Sequence, residues 1–304
     1  MKKALSIFFL LLSLLAFKNI AFAKTPIDAC WNFNDAGDYK RAIEAGKLAV
    51  KKYPKNPEAY RCIGEAYYNI GDLKLAYENM KKAESLTNNK EILMYIYNVI
   101  GLILHSMGYL DDALLYHSKS LSLAKDLGNT VMQAATLNNI ALIYYNEGEL
   151  DKALSYYEKS LSLKTNEKYK ASTYNNIANI YDKKGDYQKA VEYFQKAIEI
   201  AEKYGDYHRV SSVKLNLGNT YRKMKDYKHA EKYLSEGLEG VKKVGDKYWE
   251  ATGYVYLAWL YRDKGDKKTA REHFTRAYNL FKSIGAEGYA QGVLNDIKEL
   301  DESN

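Results

Sequence analysis

The sequence predicts an all-α protein, a solenoid of seven stacked helix pairs finished by one C-terminal helix. Three observations lead there. Turn signals recur at Gly37, Gly71, Gly108, Gly148, Gly185, Lys225 and Gly265, spaced by 34, 37, 40, 37, 40 and 40 residues. A period of this size belongs to stacked repeats, each too small to bury its own apolar face. Small residues also hold fixed places around every turn, at helical spacing. Finally, the 304 residues are 47% hydrophobic and 27% charged with 3 Pro and 30 Tyr, which favours packed helix over disorder.

The elements follow in order. Residues 1–23 read as a secretory signal peptide: Lys2 and Lys3, an apolar run from Ala4 to Phe17, then Ala21-Phe22-Ala23 at the cleavage spacing. Lys24 is the expected new N-terminus, in the periplasm or outside a bacterial-type cell. The other reading of the run is an uncleaved anchor, but 14 apolar residues are short for a bilayer span. The repeats then occupy 24–56, 57–93, 94–133, 134–170, 171–210, 211–250 and 251–284, and a capping helix with its tail fills 285–304. Five residues after each turn stands an alanine, from Ala42 to Ala270. Seven before it stand Cys30, Gly64, Gly101, Ala141, Ala178, Gly218 and Ala258, so the two helices of a pair can approach closely. Four before it stand Phe33, Tyr67, Leu104, Tyr144, Tyr181, Tyr221 and Tyr261, expected to fill the space between repeats. The turn glycine ends the first helix in a left-handed conformation, and the Asp that usually follows can cap the second. In the last helix Tyr289, Val293, Ile297 and Leu300 form one apolar stripe, as a terminal cap requires.

This pattern resembles the tetratricopeptide repeat, and the units with "LNNIA" and "YNNIA" cores look most like those of kinesin light chains and related peptide-binding adaptors. Lys225 departs from the motif at its turn, and the motif's late proline is present only as Pro54. The resemblance implies a right-handed superhelix whose first helices line a concave groove.

Residues that look into that groove should lie nine, six and three before each turn, because steps of three or four share a helix face. Asn139, Asn176 and Asn216 occupy the first column, and Asn179 and Asn219 the second. A carboxamide carries a donor and an acceptor together, so a row of them can hold a peptide backbone without reading its side chains. Peptide-binding members of the family use this column in that way, and the resemblance carries the role to these asparagines. Asn138 and Asn175 stand beside them. Leu102, Leu142 and Tyr145, with Tyr95 and Val99, make an apolar flank. Arg222 and Arg262, with Tyr256 and Trp259, make a basic aromatic end. The bland alternative is that the amides only bridge successive repeats.

The formal charge of +7 falls to +4 when Lys2, Lys3 and Lys18 leave with the leader, and it is spread among alternating Lys and Glu. That is a solvated helical surface and not a nucleic-acid footprint. The five histidines fall in unrelated columns without metal-ligand spacing, and neither a phosphate loop nor a nucleophile elbow occurs. No cofactor, metal or catalysis is expected. Cys30 and Cys62 are read as two small buried residues, although an exported chain could also bridge them. The sequence therefore points to a non-enzymatic scaffold for a protein or peptide partner, with no stable membrane span after leader removal. The alternative is a structural component that assembles with copies of itself.

Overall fold

A computed structural model describes residues 25–164 and 166–302; the expected leader lies outside them. The described residues form fifteen α-helices and no strand, in two compact units divided after Asn146.

The first unit contains α1 (Pro26–Asp35), α2 (Tyr39–Lys52), α3 (Pro57–Asn69), α4 (Leu73–Ser85), α5 (Lys90–Ser106), α6 (Leu110–Asp126) and α7 (Thr130–Asn146). The second contains α8 (Leu150–Leu163), a short 3-10 turn (Glu167–Tyr169), α9 (Lys170–Lys184), α10 (Tyr187–Lys203), α11 (Tyr207–Lys223), α12 (Tyr227–Val244), α13 (Lys247–Asp263), α14 (Lys267–Ser283) and α15 (Glu287–Glu302). Helix ends fall where the sequence places its turns. Six turn glycines have φ between +74° and +85°, a region an L side chain enters only at a cost, and Lys225 is held there too at +62°. Asp38, Asp72, Asp186, Asp226 and Asp266 cap the second helices, each accepting the N3 backbone N–H at 3.0–3.3 Å. Tyr109 and Glu149 stand in the same place without a side-chain cap.

Close approach within a pair follows from the small column. The residue seven before the turn packs against the one nine after it. A Cβ added to Gly64 would lie 3.0 Å from Met80, one on Gly218 2.7 Å from Leu234, and one on Gly101 2.6 Å from His117. At these three places a Cβ would crowd its partner, whereas Ala178 and Ala258 stand opposite Phe194 and Phe274 in the same columns. His117 is 1% exposed in a column otherwise filled by hydrophobic residues and Gly46, and its Nδ1 has no hydrogen-bond partner.

Rings of the aromatic column pack on core clusters that join successive pairs. Tyr181 stacks on Tyr193 and Tyr221 on Tyr233 across the two helices of one pair, each pair of centroids 5.5 Å apart, and all four rings are half-buried. The Tyr261 hydroxyl donates to Glu231 of the preceding pair at 2.9 Å.

The cysteines depart from the expectation of two free thiols. Cys30 and Cys62 form a disulfide that ties α1 to α3, both residues fully buried, with Cα atoms 6.3 Å apart. Each stands on the first helix of its unit, two columns apart. Stacking successive first helices brings those columns within bonding distance, which linear spacing could not reveal. In α15, Val293 and Leu300 are buried as the stripe requires, but Tyr289 is 57% exposed.

Candidate functional site

All twelve candidate residues are half-buried, so each keeps one side against a neighbouring helix and one side accessible. In the first unit Asn139 on α7 donates through Nδ2 to Asn98 Oδ1 on α5, at 3.0 Å. Leu102 on α5 and Leu142 and Tyr145 on α7 flank that bond along the same two helices. Tyr95 lies a little further toward the N-terminus and carries the Arg61 guanidinium 5.6 Å from its ring centroid.

The second unit repeats the bond one position for one. Asn216 on α11 donates through Nδ2 to Asn175 Oδ1 on α9 at 3.2 Å, again across 41 residues. Asn175 donates to Asn176 Oδ1 at 3.4 Å, and the Tyr256 hydroxyl on α13 reaches Asn216 Oδ1 at 3.5 Å. The result is a ladder, Asn176–Asn175–Asn216–Tyr256, crossing the first helices of three successive pairs. In each bridge an amide nine before one turn donates to an amide ten before the preceding turn. The bridging role is thus present in the structure. It does not exhaust the groups, because an amide offers two N–H donors and two acceptor lone pairs and each bond uses one. Asn179 enters none of these bonds.

The basic end is not a pair of free cations. Arg222 forms an ion pair with Asp263 and donates through Nε to Asn219 Oδ1 at 2.9 Å, while its guanidinium lies 5.5 Å from the Trp259 ring centroid. Arg262 approaches Asp263 at 3.8 Å and Asp296 at 3.9 Å. Lys223 pairs with Asp182, which also accepts from Thr220 Oγ1 at 2.8 Å. Much of the positive charge is therefore spent on fixing one pair to the next.

Tyr256 and Trp259, 5.6 Å apart between ring centroids, border a feature the sequence reading missed. A cleft of about 310 Å³ opens between α13 and α15, with Phe281 of α14 beside it. Its α15 wall contains Gly288, Gly292 and Asp296. Gly288 and Gly292, one helical turn apart, are its visible signal in the sequence. Among the described residues no group of three or more His, Cys, Asp or Glu could hold a metal, and no helix is long and apolar enough to cross a membrane.

Tetratricopeptide repeat family models match residues 91–166, 132–203, 169–243 and 209–283, and a second such model matches 32–86. The chain belongs to the tetratricopeptide repeat family. Its repeats superpose on solved structures of the same kind. The apo form of RapI is 16% identical with a TM-score of 0.69, over 84% of this chain and 96% of that one. The Rap conjugation gene regulator of plasmid pLS20, solved with the Phr* peptide, is 21% identical with a TM-score of 0.65, over 87% and 75%. The apo quorum sensor NprR from B. thuringiensis is 16% identical with a TM-score of 0.66, over 90% and 86%. At these identities the likeness to other tetratricopeptide arrays is one of fold. No curated protein sequence matches the chain.

Proposed function

We propose that this tetratricopeptide protein is an exported, non-enzymatic scaffold that holds an extended peptide or protein segment against its asparagine-bearing helices. The observation that carries the reading is the carboxamide ladder. Asn176, Asn175, Asn216 and Tyr256 form one hydrogen-bonded line at the repeat period. A line of oriented amides is preorganised for a peptide backbone, because the ordering of its side chains is complete before binding. Asn139 plays the same part in the first unit, where Leu102, Leu142 and Tyr145 supply an apolar anchor. Within the second unit Asn179 and Asn219 add contacts one helical turn along, and Arg222, Tyr256, Trp259 and Arg262 flank the ladder. The pLS20 Rap regulator, a fold relative, was solved with a peptide, which lends the reading support.

Export rests on the leader and is supported by the Cys30–Cys62 bridge, since disulfides persist in oxidising compartments. Cell fractionation with mass determination of the mature N-terminus tests it, and a chain beginning at Lys24 in the periplasm or medium is the expected result.

Binding is tested by affinity capture from envelope extract. Wild type is compared with an Asn139→Ala, Asn176→Ala, Asn216→Ala variant, and helicity of both is measured first. A partner held only by wild type supports recognition by the amides. Equal capture by two equally folded proteins removes the amides from the reading. Capture of the chain's own copies by both would favour self-assembly through another face.

A further inference from the structure

We infer that the cleft between α13 and α15 is a binding site for an alkylammonium group, the side chain of a lysine in the segment the scaffold holds. The inference deepens the proposed function and rests on it for the source of the lysine.

The α13 side of the cleft presents Tyr248, Tyr256 and Trp259, and α15 adds Tyr289. Tyr248 and Tyr289 meet edge to face with centroids 5.2 Å apart, and Phe281 stacks behind Tyr289 at 5.3 Å. Aromatic faces carry negative potential and attract cations within about 6 Å of their centroids. Trp259 already hosts one guanidinium in that way, from Arg222.

The opposite wall is open by construction. Gly288 and Gly292 lie one turn apart on α15, and a Cβ added to either would meet nothing within 4 Å. Elsewhere in the chain helical glycines are places of close packing, as at Gly101 and Gly218. Here they border unfilled space. Val255 and Val293, both nearly buried, offer the apolar surface an alkyl stem needs.

Asp296 sets the sign of the ligand. Its carboxylate lines the cleft and accepts a hydrogen bond from the Trp259 side chain. Burial pushes its pKa up, because the charged form has lost solvent. The cation facing it is Arg262, at 3.9 Å and too far for a hydrogen bond. Beyond it, α15 carries Glu287, Glu299, Asp301 and Glu302 against a single Lys298, with Glu287 paired to Lys282 and Asp301 to Arg271 of α14. An anionic ligand would be repelled, and a neutral apolar one would desolvate the carboxylate further without pairing it. An ammonium on an alkyl stem satisfies both halves of the cleft.

The chain has three tryptophans, so its indole N–H resonances are few, and a Trp259→Phe variant assigns the one at the cleft. The full chain is titrated with Nα-acetyl-lysine methylamide and, separately, with Nα-acetyl-norleucine methylamide, its uncharged counterpart. The expected result is a saturable shift of the Trp259 resonance with the lysine compound, and binding about tenfold weaker with norleucine. Gly292→Leu puts its side chain into open space, so it folds and abolishes the shift. Asp296→Asn keeps the shape and lowers lysine affinity to the norleucine level. Equal binding of the two compounds, no shift of Trp259 at all, or unchanged lysine binding in Gly292→Leu would each overturn the inference. These small amides need no asparagine row. Their failure with amide-dependent capture intact sinks only the lysine site, and the reverse outcome sinks only the peptide reading.

Discussion

Replacing Gly101 by alanine tests the packing rule within a helix pair. Alanine is the better helix former by about 1 kcal/mol, so an open site would gain stability. Gly101 is not open. Its new Cβ would lie 2.6 Å from His117 Cε1 and 2.7 Å from both ring nitrogens. The imidazole is rigid and 1% exposed, so it must move as a body or force α5 and α6 apart. Overpacking of this kind costs about 1–3 kcal/mol. With the contact so short we take the upper part of that range, leaving a net loss of about 1–2 kcal/mol after the helix gain. Gly64→Ala is the internal control. It stands in the same column, but its contacts at 3.0 Å are to the flexible side chain of Met80, so its change should stay within about 1 kcal/mol of zero. Urea unfolding followed by circular dichroism, run on Gly101→Ala, His117→Ala and the double variant, closes a thermodynamic cycle. In the His117→Ala background the alanine should become neutral or stabilising. If Gly101→Ala is as stable as wild type, or behaves alike in both backgrounds, the close-approach argument fails.

His117 makes a second prediction. Burial holds its pKa down at about 4 in the folded chain against an ordinary value of 6.5. Between those values the unfolded chain binds a proton that the native site refuses, so stability is complete above pH 6.5 and declines as pH falls toward 4. The loss is about 3 kcal/mol, and His117→Leu should flatten that part of a pH series of urea midpoints. Reducing the Cys30–Cys62 bridge, which closes a separation of 32 residues, should cost about 3–4 kcal/mol by chain entropy. Hydrogen exchange should report that loss chiefly in α1 and α2, and a Cys30→Ala, Cys62→Ala variant should be indifferent to reductant. Lys225→Gly removes a side chain from a left-handed turn at φ +62° and should raise the unfolding free energy by about 1 kcal/mol, read as a higher urea midpoint. Asn216→Ala breaks the ladder at its centre and should cost about 1 kcal/mol while leaving helicity intact.

The sequence by itself determined where the helices begin and end and which residues face inward within each pair. Gly37, Gly185 and Gly265 announce their turns, Asp186 and Asp266 their caps, and Ala190 and Ala270 their close contacts. These features are local, and repetition makes a weak local signal strong, since each unit packs mainly on its neighbours. Tertiary structure alone decided what happens across about forty residues of chain. It chose the ten-before amides Asn98 and Asn175 as partners for Asn139 and Asn216, matched Arg222 to Asp263, and brought Cys30 to Cys62. It opened a cleft beside Gly288 and Gly292, which linear reading could only register as two small residues on a cap. The reason is geometric. Periodicity fixes the face a residue occupies, whereas the register between stacked helices fixes its neighbour on that face, and a shift of a single residue in that register would redraw every one of these pairs.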